Sequence, residues 1–191
     1  MEASHRFARQ LHERFENVSV MISPMMEISF LPLPDIIQPD AIIFTSRNGV
    51  AAWAHANQPN PDSCYCVGEA TAEAARALGF DPFVSGGNAA HLIDDLINIA
   101  PKGTLLHVRG RHVAADLIGS LSNAGLHAKD VISYEQRLIA LSPDAQELLQ
   151  GGARVIVPLF SPRSATHFAN SGPFGPQVRK IAISKAVARA C

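Results

Sequence analysis

Short apolar runs that end in a polar or basic cluster recur along this chain of 191 residues. Five such runs cover residues 41–44, 64–67, 105–108, 155–160 and 181–183. A helical spacing of apolar residues follows each cluster, so the repeated unit is strand, polar turn and helix. This alternation predicts a parallel α/β sheet. Ligands of such sheets bind where the carboxyl ends of the strands meet the amino ends of the helices.

The chain before the first run predicts a helix, a strand and a crossing between domains. Residues 3–16 carry apolar side chains at four-residue intervals, which indicates an amphipathic helix. We expect a strand over residues 18–22 and a crossing over residues 25–33. Prolines surround that crossing, and they exclude a central strand or a long helix there.

Between residues 41 and 131 the pattern is a regular alternation of strands and helices. The helices are expected over residues 47–56, 69–78, 89–98 and 112–124, with a short strand at 83–84. Asn88 is predicted to cap the third of these helices. Residues 133–139 then predict an extended return crossing, after which Ser142 begins a further helix with Pro143 in its favoured first position.

The two crossings, near residues 25–33 and 132–140, bracket the middle of the chain. The simplest topology is therefore one α/β domain inserted into another. The outer domain is expected to comprise residues 1–31 and 139–191. The inserted domain is expected to comprise residues 32–138, including the connector strands.

Composition narrows the class of protein. Hydrophobic residues make up 47% of the chain and charged residues 17%, which is typical of a globular protein. A formal net charge of −1 argues against a broad nucleic-acid surface. We see no signal-peptide pattern, and no apolar stretch approaches the roughly 20 residues that span a bilayer. Three cysteines favour a reducing compartment, so we expect a cytoplasmic protein without a nucleic-acid or membrane partner.

Motifs for metals, nucleotides and nucleophiles are absent or weak. The closest cysteine pair, Cys64 and Cys66, alternates along a strand, and two thiols alone do not make a zinc site. The chain has no Gly-x-Gly-x-x-Gly, no Walker loop and no Gly-x-Ser-x-Gly elbow. The sequence therefore predicts no metal site and offers no nucleotide motif.

Arginines and hydroxyls at the strand–helix junctions are the candidate binding groups. Ser46 and Ser161 follow strands and are expected to cap helices, whatever else they do. Tyr134 lies in the polar return crossing, where it is either an interface aromatic or a catalytic phenol. The arginines either are solvated surface residues or form a shared carboxylate or phosphate site. They are Arg47, Arg109, Arg111 and Arg163.

Five segments carry a resemblance to a known family. In order along the chain they are IFTSRNGV at 43–50, VGEATA at 67–72, LHVRGR at 106–111, VISYE at 131–135 and FSPRSA at 160–165. In this order and at this spacing they resemble uroporphyrinogen-III synthase over almost the whole chain. The resemblance implies two α/β domains, one inserted in the other and joined by a two-stranded connector.

The resemblance also implies an activity. The substrate would be hydroxymethylbilane, a linear tetrapyrrole that bears eight carboxylates. The enzyme removes the terminal hydroxyl as water and closes the macrocycle while inverting the last pyrrole, ring D, through a spiro intermediate. It uses no metal or organic cofactor. The product, uroporphyrinogen III, belongs to tetrapyrrole and haem biosynthesis. We expect a monomer that makes transient contact with hydroxymethylbilane synthase.

Particular residues inherit roles from the resemblance. Tyr134 matches the family's tyrosine, a phenol that can protonate the departing hydroxyl. Thr71 matches a threonine at the cleft between the domains, so the expected catalytic pair is Tyr134 and Thr71. The expected substrate-binding residues are Ser46, Arg47, Arg109, Ser161, Arg163, Lys180 and Ser184.

The two ends of the chain depart from the family pattern. Family members normally begin with a strand before the first helix and continue some tens of residues past the region of Ser184. We therefore expect the outer domain to be incomplete at both ends. This favours an alternative function, a non-catalytic α/β anion-binding or regulatory module related to the synthase. The retention of Thr71 and Tyr134 favours the enzyme.

Overall fold

The structure, a computed structural model, describes residues 2–34, 38–112 and 115–191. Strands and helices alternate along these residues. The strands are β1 Met26–Phe30, β2 Ala41–Phe44, β3 Ser63–Cys66, β4 Pro82–Val84, β5 Leu105–Gly110, β6 Ala128–Leu138, β7 Val155–Leu159 and β8 Val178–Ala182. The helices are α1 Glu2–Arg14, α2 Arg47–His55, α3 Glu69–Arg76, α4 Ala89–Ile99, α5 Leu117–Asn123, α6 Pro143–Gln150, α7 Pro162–Ala169 and α8 Lys185–Ala188.

The chain divides into two compact units. The middle unit is Ile28–Gln136, and the outer unit is Met1–Glu27 together with Arg137–Cys191. Within the described residues of both, no helix is long and apolar enough to cross a membrane.

One sheet of six strands has the order β1-β6-β5-β2-β3-β4. The pairs β6–β5, β5–β2, β2–β3 and β3–β4 are parallel. Leu31 N–H donates to Ser133 O at 2.9 Å and Ile139 N–H donates to Met25 O at 3.1 Å, so β1 runs antiparallel to β6. The α/β class is confirmed. The expectation of a purely parallel sheet is wrong for this sheet, because its edge strand β1 runs antiparallel to β6.

Strand β2 is apolar throughout, and helices cover both of its faces. All four of its residues are buried, as expected for a parallel strand between two helical layers. Ile42 and Phe44 pack with buried residues of α2 and α3, whereas Ile43 packs with buried residues of α4 and α5. Burying each of these side chains contributes about 1.5–3 kcal/mol. This rigid core fixes the carboxyl ends of the strands, where polar side chains begin.

The outer unit has its own sheet and core. Strands β7 and β8 pair in parallel, with Val155 opposite Val178. The core beside this sheet includes Leu159 and Phe168, and the Phe168 ring stacks on Phe174 with centroids 4.3 Å apart. The parallel pairing places the carboxyl ends of β7 and β8 at one edge, as in the middle unit.

One predicted strand and the start of one predicted helix are wrong. The strand expected at residues 18–22 lies outside the helices and strands, and β1 begins at Met26 instead. Residues with high β-propensity form a strand only where a partner strand is available. The strand beside β6 is β1, so residues 18–22 do not join the sheet there. The helix expected from residue 112 begins at Leu117, because the Asp116 carboxylate accepts from Gly119 N–H at 2.9 Å and so caps the helix there.

The other predicted helices and strands are confirmed within a few residues. Asn88 caps α4 by accepting from His91 N–H at 2.9 Å. Ser142 caps α6 by accepting from Ala145 N–H at 3.3 Å, and Pro143 follows it in the first turn. An N-cap side chain, and in α6 a proline in the first turn, are strong sequence signals for the start of a helix.

Candidate active site

Two hydroxyls meet at the carboxyl ends of the strands in the middle unit. Ser46 follows β2 and caps α2, where its Oγ accepts from Gly49 N–H at 3.2 Å. The same Oγ lies 2.9 Å from the Oη of Tyr134, which stands on β6. Because β5 separates β2 from β6 in the sheet, the Tyr134 side chain reaches across one whole strand to make this hydrogen bond.

Burial distinguishes Tyr134 from a surface aromatic. Its side chain is 8% exposed, and Ser133 before it is fully buried. A hydrogen bond between two hydroxyls in a water-poor setting holds the phenol in one direction. Such a phenol can donate a proton to a group placed against it while Ser46 remains its partner.

Thr71 lies at the same edge of the sheet, one strand further along. It stands in the first turn of α3, which follows β3, and is 6% exposed. Its N–H donates to Gly68 O at 3.0 Å. The structure therefore brings Ser46 and Tyr134 into contact and places Thr71 after the neighbouring strand.

A buried histidine that sequence reasoning did not single out also joins this edge. His107 on β5 is 3% exposed, and its Nε2 lies 3.0 Å from the Oγ1 of Thr45, the residue before Ser46. Burial lowers the pKa of His107 to about 4, so the imidazole is neutral near pH 7. The carboxyl end of β2 is thus bonded to both β5 and β6. A polar residue inside the apolar run at 105–108 was the signal that could have found it.

Arg109 on β5 and Arg111, which directly follows that strand, face acidic partners on β6. The Arg109 guanidinium forms an ion pair with Asp130 and donates to Gly110 O at 3.0 Å. Arg111 donates to Glu135 at 3.0 Å. Sequence reasoning missed these pairs, because residues about twenty positions apart become neighbours only through the β5–β6 register. Any anion that binds Arg109 must therefore share it with Asp130.

An open cavity of about 300 Å³ lies beside the first of these pairs. It is lined by His107, Arg109 and Asp130 from the strands and by Asp116 and Leu117 from the start of α5. Its wall combines one neutral imidazole, one guanidinium and two carboxyl groups. Among the residues that the structure describes, no group of three His, Cys, Asp or Glu side chains is placed to hold a metal ion.

The remaining predicted residues belong to the outer unit, except for Arg47. Ser161 caps α7 by accepting from Ser164 N–H at 3.1 Å, and Ser184 caps α8 by accepting from Val187 N–H at 3.3 Å. The two serines follow the neighbouring parallel strands β7 and β8, so they share one edge. Arg163 lies in the first turn of α7, and Lys180 is exposed on β8. Arg47 is exposed at the start of α2 in the middle unit.

Two solved structures have a similar fold. Uroporphyrinogen-III synthetase from Helicobacter pylori 26695 aligns with a TM-score of 0.66 and 21% identity, over 86% of this chain and 78% of that one. A mutant uroporphyrinogen III synthase from the extremely thermophilic bacterium Thermus thermophilus aligns with a TM-score of 0.55 and 14% identity, over 100% of this chain and 84% of that one. At these identities the likeness shows a common α/β fold. No curated protein sequence matches the chain.

The family follows from the sequence itself. The family model of uroporphyrinogen-III synthase HemD matches residues 6–191, so the chain belongs to that family. The family consists of lyase-type enzymes that need no cofactor and act on hydroxymethylbilane. Its activity, the cyclisation that yields uroporphyrinogen III, is the function of this chain.

Proposed function

We propose that Tyr134 is the general acid of this enzyme and that Ser46 holds its phenol in place. The observation that carries the proposal is the 2.9 Å hydrogen bond between the two hydroxyls. A general acid must lie within hydrogen-bond reach of the group that it protonates, and a phenol that is 8% exposed and bonded to Ser46 is held in a defined position for that contact. Thr71, in the first turn of α3, is proposed as a second hydroxyl at the reacting end of the substrate.

In the proposed reaction, Tyr134 protonates the hydroxyl group that leaves the substrate. The bond between the terminal methylene carbon and its hydroxyl oxygen breaks, and that oxygen takes the Tyr134 proton and leaves as water. The electron pair of a pyrrole nitrogen stabilises the resulting azafulvene cation. The Ser46 hydroxyl donates to the phenolate oxygen that remains. The α-carbon of ring D that already carries the bridge to the neighbouring pyrrole attacks the cation, which gives the spiro intermediate. The bond between that α-carbon and the bridge carbon then breaks, and the bridge carbon bonds to the other α-carbon of ring D. That second α-carbon loses its proton as the pyrrole regains its aromaticity, and the proton returns to Tyr134.

The substrate's carboxylates need several separate contacts. We assign them to cations and helix caps of both units, since capped helix starts and arginines attract anions without a large net positive charge. Arg109 is included because it lines the 300 Å³ cavity, although Asp130 offsets part of its charge. The proposed set is Ser46, Arg47, Arg109, Ser161, Arg163, Lys180 and Ser184.

The organisation of the whole enzyme is part of the same proposal. The middle and outer units would correspond to the inserted domain, predicted at 32–138, and to the outer domain, predicted at 1–31 with 139–191. Strands β1 and β6 would be the two-stranded connector. A cytoplasmic monomer that receives its substrate from hydroxymethylbilane synthase remains our expectation.

A coupled assay tests the function directly. Porphobilinogen and hydroxymethylbilane synthase generate the substrate in the presence of this chain, and the products are oxidised and separated as isomers. We expect isomer III in the reaction that contains the chain. Isomer III is diagnostic of catalysis, because uncatalysed closure gives only isomer I. The same reaction without the chain is the control. Isomer I alone in both reactions would favour the non-catalytic anion-binding or regulatory module.

A further inference from the structure

The ring of Tyr134 lies against a glycine on the neighbouring strand. A Cβ atom at Gly110 would stand 2.7 Å from Cε2, 2.8 Å from Cζ and 3.1 Å from Oη of Tyr134. The first two separations are shorter than real Cβ contacts permit. Only a residue without a side chain therefore lets the phenol cross β5 and reach Ser46 beyond it.

An irregularity in the β5–β6 ladder brings the two residues together. Arg109 pairs with Ile132, but the next residue, Gly110, pairs with Tyr134, so Ser133 is the extra residue of a β-bulge. Such bulges turn the following side chain toward a new direction. Ser133 is fully buried, and its Oγ donates to Arg109 O at 3.1 Å, which fastens the bulge to β5.

We propose that Gly110 and the bulge at Ser133 are positioning residues that aim the Tyr134 phenol at Ser46 and at the substrate. The inference rests on the catalytic role of Tyr134 proposed above. Neither residue needs to touch the substrate. Gly110 provides the space over β5, and Ser133 provides the change of register that places the ring in that space.

The expected consequence of Gly110→Ala is local. The atoms that a Cβ would meet belong to the far end of the Tyr134 side chain, which can rotate away, whereas the strand backbone need not move. Rotation would withdraw Oη from Ser46 and break the 2.9 Å hydrogen bond. The fold should therefore persist while the phenol points elsewhere.

Measuring the effect of Gly110→Ala on kcat in the wild type and in Tyr134→Phe separates loss of phenol positioning from a general loss of structure. We expect Gly110→Ala to lower kcat by roughly 10- to 1000-fold with KM nearly unchanged, as for loss of a positioned general acid. Added to Tyr134→Phe, the same substitution should cause no further decrease, because the displaced hydroxyl is already gone. Gly152→Ala is the control, since a Cβ there meets nothing within 4 Å. An equal decrease in both backgrounds would overturn the proposal.

A spectroscopic readout keeps this inference distinct from the proposed catalytic role. The chain has two tyrosines, Tyr65 and Tyr134, so tyrosine labelled with carbon-13 at Cζ alone gives one NMR signal for each of them. Gly110→Ala should shift the Tyr134 signal in the same direction as Ser46→Ala and leave the Tyr65 signal in place. Ser133→Ala, which removes the bulge hydrogen bond, should shift it as well and serves if Gly110→Ala does not fold.

The two kinds of failure are then separable. If Tyr134→Phe is fully active but the Tyr134 signal shifts as expected, the catalytic role fails while the positioning of the ring stands. A Tyr134 signal that stays unchanged in folded Gly110→Ala and in Ser133→Ala would overturn the positioning role, whatever the activity of Tyr134→Phe.

Discussion

The hydroxyl oxygens of Ser46 and Tyr134 lie 2.9 Å apart although 88 positions separate the two residues in the chain. The link serves two purposes at once, because Ser46 also accepts from Gly49 N–H and so begins α2. One serine thereby ties the start of a helix to a phenol two strands away in the sheet order. A substitution of Ser46 should therefore affect both the start of α2 and the position of the Tyr134 phenol.

Tyr134→Phe tests the phenol with the least disturbance of packing. We expect kcat to fall by roughly 10- to 1000-fold with KM nearly unchanged. A positioned general acid typically contributes about 10²–10⁴, but hydroxymethylbilane also loses its hydroxyl spontaneously, so the measured deficit should be smaller. The coupled assay with separation of isomers I and III measures it. Wild-type kcat in the variant would reduce Tyr134 to a packing residue and leave catalysis to the folding of the bound substrate.

Ser46→Ala should affect both stability and catalysis. Loss of the helix cap is expected to lower the free energy of unfolding by about 0.5–2 kcal/mol. Loss of the phenol's partner should also lower kcat. Ser142→Ala is a matched control, since Ser142 caps α6 in the same way in the outer unit. Urea denaturation should show similar losses for the two variants, whereas only Ser46→Ala should be slow in the coupled assay. Equal kcat values would mean that Ser46 is a cap alone.

Local sequence signals were sufficient wherever one element determines the structure. Ser46, Asn88 and Ser142 were predicted as helix caps because the signal, a hydroxyl or amide before a helical pattern, lies within a few residues. The α/β class followed in the same way from repeated strands and helices. The strand at residues 18–22 was predicted wrongly because propensity cannot reveal whether a partner strand is available.

Contacts that depend on register could not be predicted. The Arg109–Asp130 pair and the Tyr134 ring over Gly110 both follow from how β5 and β6 align, and a bulge changes that alignment by one residue. A one-residue change reverses the side of the sheet to which a side chain points. The sequence could therefore propose Tyr134 and Ser46 separately, but not that they are bonded.

Arg47→Ala and Arg163→Ala should raise KM with milder effects on kcat. Each would remove a charge-assisted contact to a carboxylate that is present in both the ground state and the transition state. Arg76→Ala is the charge-matched control, because Arg76 is exposed in the last turn of α3 and pairs with Glu69. Initial rates over a range of hydroxymethylbilane concentrations give both constants. A KM that rises equally in all three variants would indicate a general effect of net charge and not specific contacts.

His107 should make the stability of the middle unit depend on pH. Its pKa falls from 6.5 to about 4 because burial removes the imidazolium from water. Between these values the unfolded chain binds more protons at His107 than the folded chain does, so the free energy of unfolding decreases as pH falls from about 6.5 to about 4. The decrease amounts to at most about 3 kcal/mol. His107→Gln cannot titrate in this range, yet its amide can still bond with Thr45. Urea denaturation near pH 7 and near pH 4.5 should therefore show a smaller acid-induced loss in His107→Gln than in the wild type, and equal losses would contradict the assignment.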